Sequence, residues 1–179
     1  ANSALRVLAG VYEQVSDDMD INARIADLLF RVGQLGEAAG MYRWLVETEG
    51  AKNARSKSLA LYLTRMARIE LSEGNTESAM GMLDRAYGMD STNVELLMVL
   101  GDLHEQSQSW EDALKVYRAM LLQNADRSGL LRRGDIYLHL SNIHVRLDEM
   151  PKAQAMLRRG LQEDPEHPDL AARLQQLGA

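Results

Sequence analysis

Along Val94–Arg127, apolar residues fall at Leu96, Leu97, Leu100 and Leu103, with His104 beside them. After a polar break they resume at Trp110, Ala113, Leu114, Tyr117, Met120 and Leu121. Both sets recur at intervals of three and four, which puts each on one stripe of an amphipathic helix. The break, Gln106–Ser109, is polar, and Ser109 is placed to cap the second helix. Gly101 and Ala113 are the small residues of the facing stripes. Helices that approach to about 8–9 Å leave no room for a branched side chain at such points. Inserting one costs about 1–3 kcal/mol through overpacking. The pattern predicts a helical hairpin packed through small residues.

The same pattern recurs along the chain. Laid on the sequence, it gives copies at 19–52, 60–93, 94–127 and 134–167. The small residue of the first helix is Ala26, Ala67, Gly101 or Ser141, and that of the second is Ala38, Ala79, Ala113 or Ala153. This spacing resembles the tetratricopeptide repeat, whose signature runs Trp-x2-Leu-Gly-x2-Tyr, then Ala-x3-Phe, then Pro. Several positions depart from it: the closing Pro is kept only as Pro165, Gln108 and Asp148 stand where the turn glycines Gly33 and Gly74 are found, and Glu70 and His104 fall where Tyr is typical. The resemblance implies an all-α fold, an α-solenoid of stacked antiparallel hairpins forming a right-handed superhelix of about ten helices.

Two polar stretches, Asn53–Leu59 and Ser128–Arg133, separate the copies, and each is expected to extend the following helix by nearly two turns. The ends depart from the repeat as stacked arrays require. The N-terminal segment 3–18 reads as a half-repeat carrying Ala4, Leu8 and Val11, and implies an array that continues upstream. Residues 168–178, with Leu170, Leu174 and Leu177 on one stripe and Arg173 and Gln175 on another, read as a capping helix with Pro168 in its first turn.

Composition narrows the function. At 179 residues, with 46% apolar and 26% charged side chains and three prolines, the chain can bury a sizeable helical core. Its net charge of −6 disfavours a nucleic-acid partner, which usually meets a basic face. It has no cysteine, hence no disulfide, thiol catalysis or thiolate metal site, and the compartment stays open. No apolar run approaches the ~18–20 residues that span a bilayer, so no membrane insertion is expected.

No catalytic constellation stands out. The chain lacks HExxH, a glycine-rich phosphate loop, an acidic calcium loop and a nucleophile elbow. His104 and His144 occupy inward positions, and His139 and His144 are five apart on different sides of their helix, which does not fit a two-ligand metal site. Met41, Met82 and Met156 share one equivalent position and read as core filler. Trp110 reads as packing beside the turn. Trp44 falls where the family usually faces solvent, so it covers the first insert or marks a contact patch. No cofactor and no metal are expected.

What remains is a binding scaffold. In the tetratricopeptide family the first helix of each hairpin lines a groove that commonly holds peptides. The resemblance carries those groove positions to Ala23, Asp27, Phe30 and Arg31, and to Thr64, Arg68 and Leu71 with Arg65 at the shoulder. It also selects Met98, Asp102 and Glu105, and then Leu138, Asn142 and Arg146 with His139 at the shoulder. The family's carboxylate clamp needs Lys and Asn where this chain has Ala23 and Asp27, so that clamp is not expected. The arginines are open to two readings. They grip a carboxylate or phosphorylated side chain of a protein partner, or Arg65 and Arg68 pair with Asp27 and Asp102 across adjacent helices. The function implied is a non-enzymatic scaffold for a peptide or helix of another protein. The second reading is self-assembly, as a homo-oligomer or within a larger multi-repeat protein, through the open half-repeat.

Overall fold

The computed structural model describes residues 18–124 and 129–178. Among them every regular element is an α-helix, and the chain divides into two compact units, one up to Asp90 and one from Ser91. The half-repeat expected at 3–18 lies almost entirely outside the described residues.

In the first unit, α1 (Met19–Arg31) pairs with α2 (Leu35–Lys52), α2 with α3 (Lys57–Ser72), and α3 with α4 (Thr76–Met89). Asp18 starts α1, its Oδ1 accepting from the amides of Asp20 at 2.9 Å and Ile21 at 3.1 Å. The core joins Ile25, Ala26 and Leu29 of α1 to Ala38, Tyr42 and Leu45 of α2 and to Tyr62, Met66 and Ile69 of α3. Trp44, Met41 and Met82 lie half-buried against this cluster, so Trp44 serves packing.

In the second unit, α5 (Val94–Gln106) pairs with α6 (Trp110–Leu122), α6 with α7 (Arg133–Arg146), α7 with α8 (Met150–Glu163), and α8 with α9 (Leu170–Gln176). Asn93 Oδ1 caps α5 by accepting from the Leu96 amide at 3.0 Å. Ser109 precedes α6 but makes no side-chain cap bond; its hydroxyl instead accepts from Ser107 at 3.2 Å.

The eight small residues Ala26, Ala38, Ala67, Ala79, Gly101, Ala113, Ser141 and Ala153 are all buried. Gly101 shows why: a Cβ there would stand 2.8 Å from Cζ of Tyr117. The four hairpin turns share one backbone form. Gly33, Gly74, Gln108 and Asp148 have φ of +80°, +85°, +58° and +57°. The residue after each donates back five positions, Gln34 to Leu29, Asn75 to Glu70, Ser109 to His104 and Glu149 to His144, at 2.8–2.9 Å. This is a Schellman closure, which satisfies the last carbonyls of the first helix.

The two inserts do not extend the following helices as expected. After α2, which at 18 residues is longer than the 14-residue α4, the chain turns at Asn53–Ser56 before α3 begins at Lys57. Asn53 is extended and its Oδ1 accepts from the Arg55 amide at 3.2 Å, a local bond that competes with continued helix. Ser56 then caps α3 through the Leu59 amide at 3.0 Å. In the second insert, Gly129–Leu131 is non-helical, with Gly129 at φ +73°, and α7 starts only at Arg133.

That second junction is clasped by charge. Asp164 Oδ2 accepts from Arg132 Nε at 3.0 Å and from the Gly134 amide at 3.2 Å, and Arg133 pairs with Glu163. His167 is buried over Gly134, its Nε2 2.9 Å from Asp135 Oδ1, while its Nδ1 accepts from the Asp169 amide at 3.3 Å. Leu170 then seats α9 on Gly160, where a Cβ would meet Leu170 and Tyr137 at 2.9 Å. Pro168 stands in the turn before α9.

Candidate functional site

In the first unit the selected residues lie on α1 and α3, and several are occupied by the fold itself. Asp27 accepts from the Tyr42 hydroxyl at 2.5 Å and forms an ion pair with Arg65. Arg65 is therefore engaged internally. Arg68 lies over the Phe30 ring, 5.1 Å from its centroid, a cation–π contact on an exposed side chain. Arg31 is exposed, and Ala23 and Leu71 are half-buried. Thr64 is buried and donates to the Ala60 carbonyl at 2.8 Å, so it presents nothing to a ligand.

The second unit contains a cleft of about 1040 Å³. Its walls come from Glu105 and Gln106 of α5, Trp110 of α6, Leu138, Asn142, Ile143, Val145 and Arg146 of α7, and Asp169, Ala172, Arg173 and Gln176 at α9. Glu105, Leu138, Asn142 and Arg146, all selected from sequence, meet here. Met98 and Asp102 share α5 with Glu105 but do not line the cleft. Two contributions are not legible in the sequence as site residues: Trp110 reads as packing, and Arg173 and Gln176 lie on a helix read only as a cap. The one signal for α9 is its polar stripe through Arg173.

His139 holds the cleft edge. Its Nδ1 is 2.6 Å from Glu105 Oε1, and its ring stacks on Tyr117 with centroids 4.6 Å apart. Burial acts to lower the His139 pKa, but the Glu105 hydrogen bond and charge outweigh it, so the imidazole titrates above its ordinary 6.5. Glu105 moves the other way: burial acts to raise it, and the His139 hydrogen bond carries it below its ordinary 4.5. Burial, then the nearby Glu105 carboxylate, pushes the Tyr117 phenol up. The Tyr117 hydroxyl is buried with no hydrogen-bond partner among the described residues.

Across the cleft, Arg173 Nε donates to Asn142 Oδ1 at 3.1 Å and its Nη1 to Gln176 Oε1 at 3.2 Å. Both acceptors are neutral amides. Arg146 is exposed and takes part in no hydrogen bond or ion pair among the described residues. The two inward-read histidines face the fold: His144 is buried with Nδ1 2.6 Å from Glu149 Oε2, and His104 is half-buried. Among the described residues no group of three or more His, Cys, Asp or Glu could hold a metal ion, and no helix is long and apolar enough to cross a membrane.

Hairpins of this form, closed by the same turn and packed through the same small residues, define a helical-repeat scaffold of the α-solenoid class. Residues 70–133 match the tetratricopeptide repeat family model. Solved structures agree in fold. BtubC from P. vanneervenii superposes with a TM-score of 0.73 at 19% identity, covering 93% of this chain and 76% of that one. PilF of Pseudomonas aeruginosa gives 0.68 at 16% identity over 89% of this chain and 67% of its own. A thermophilic TPR protein of Thermus thermophilus gives 0.62 at 16% identity over 98% and 89%. No curated protein matches the chain in sequence. The fold class is that of a protein-interaction scaffold, and proteins built this way are generally non-catalytic.

Proposed function

We propose that this protein binds a segment of a partner protein on its first-helix surfaces, and that in the second unit the cleft among α5, α7 and α9 is the seat. The cleft is the observation that carries the reading. It is large enough for several side chains, it combines the apolar walls of Trp110, Leu138 and Val145 with polar groups from Asn142 and Gln176, and α9 closes one side of it. Asn142 uses its carbonyl oxygen on Arg173, which leaves its amide hydrogens to donate to a peptide carbonyl. In the first unit, Phe30 with Arg68, Arg31 and Leu71 offers a second, shallower contact.

A displayed peptide library selected on the whole chain tests this directly. Selected peptides, synthesised singly, are titrated into isotopically labelled protein and mapped by amide and indole shifts. Perturbation centred on Trp110, Asn142 and Ala172 is expected. Binders that map to α2, α4, α6 and α8 alone would reject the cleft as the seat.

A further inference from the structure

We propose that the cleft of the second unit reads an acidic side chain within the bound segment, held between the guanidinium groups of Arg173 and Arg146. This rests on the reading of the cleft as a peptide seat and names the chemistry of its ligand.

The argument is one of unbalanced charge. Arg173 is half-buried, and its fork is oriented by two neutral acceptors, Asn142 Oδ1 and Gln176 Oε1. Two amide oxygens fix the direction of a guanidinium without neutralising it, and its remaining N–H groups are left for an acceptor. Arg146, lining the same cleft, carries a second unneutralised charge. The chain does not lack carboxylates: at the other end of α7, Arg132 and Arg133 are each paired with one, Asp164 and Glu163. The two carboxylates that line the cleft do not neutralise its arginines. Glu105 is engaged by His139, and Asp169, one turn before Arg173, makes no ion pair with it. A held guanidinium with open donors matches a carboxylate in geometry as well as charge.

The test uses the whole chain and capped, amidated peptides in which leucine flanks a single glutamate, with glutamine and lysine counterparts. A further glutamine peptide keeps its free C-terminal carboxylate. Shifts at Trp110 and Arg173 are followed at low and moderate salt. The glutamate peptide is expected to bind about ten-fold more tightly than the glutamine peptide, the equivalent of one charged hydrogen-bond pair, and to weaken with salt. Arg173→Gln and Arg146→Gln should each erase most of that preference. Arg146 has no hydrogen bond or ion pair to lose among the described residues, so its variant keeps the test valid if Arg173→Gln loosens α9. Equal binding of glutamate and glutamine peptides in the cleft would overturn the proposal while leaving the peptide seat intact. Capture of the free-carboxylate glutamine peptide alone would overturn the side-chain assignment. Absence of any cleft shift would remove both readings.

Discussion

His139 Nδ1 lies 2.6 Å from Glu105 Oε1, joining α7 to α5 at the edge of the cleft. The two groups move each other's titration in opposite directions, and the sign of the consequence follows. His139 titrates above 6.5, so its contribution is complete below 6.5 and is lost as pH rises through the higher folded value. Glu105 titrates below 4.5, so its contribution is present above 4.5 and is lost as pH falls. The pair is strongest between 4.5 and 6.5. Thermal melts across pH should show a decline above that window in the wild type. His139→Gln, which keeps a hydrogen bond but not the charge, should flatten that alkaline arm. An unchanged slope would assign the decline to another group.

The four hairpin turns allow a matched set of substitutions. Gln108 and Asp148 hold φ of +58° and +57° in positions that Gly33 and Gly74 hold at +80° and +85°. A left-handed residue with a Cβ costs about 1–2 kcal/mol, offset by the larger unfolded-state freedom of glycine. Gln108→Gly and Asp148→Gly should therefore each stabilise the protein by about 0.5–1 kcal/mol, read as a higher urea midpoint. Gly33→Ala and Gly74→Ala should destabilise it, and since a Cβ at either site would meet nothing within 4 Å, that loss would be conformational alone.

These turns also show how far the chain can be read without coordinates. Their position is legible because a polar break between two helical stripes is a local signal, and the small residues mark the facing sides because close approach constrains a single position. The inserts are ambiguous because both helix and turn satisfy their composition. Asn53 decides the first through a bond to the Arg55 amide, and Gly129 interrupts the second with a positive φ. At the cleft, Asn142 and Arg146 follow from repeat register, whereas Arg173 belongs to no repeat copy. Its position depends on Leu170 seating α9 against Gly160, a contact with no local sequence signal.

Gly101 and Tyr117 test the close approach itself. A methyl at Gly101 would meet the Tyr117 ring at 2.8 Å, and that ring is buried and stacked on His139. Alanine gains about 1 kcal/mol over glycine in a helix interior, against an overpacking cost of about 1–3 kcal/mol. Gly101→Ala should therefore leave stability unchanged or lower it by up to about 2 kcal/mol. Tyr117→Phe should be neutral or stabilising, because the hydroxyl it removes is buried without a partner among the described residues. A large loss on Tyr117→Phe, measured by urea unfolding, would show that the hydroxyl is satisfied in solution, for instance by water.

Asp27 separates structural from binding roles among the residues selected for the groove. Its carboxylate receives the Tyr42 hydroxyl from α2 and Arg65 from α3, so one side chain ties three helices of the first unit. Asp27→Ala takes an acceptor from a buried tyrosine and a carboxylate from a half-buried guanidinium, and breaking such a network should cost about 1–3 kcal/mol. Tyr42→Phe removes the hydroxyl and its bond to Asp27 but leaves the Asp27–Arg65 pair in place, so it should cost less, about 1 kcal/mol. Arg31→Ala, at an exposed side chain of the same helix, should stay within about 0.5 kcal/mol of wild type. If Asp27→Ala melts like Arg31→Ala, the three-way contact carries no stability, and Asp27 returns to the set of residues available to a partner.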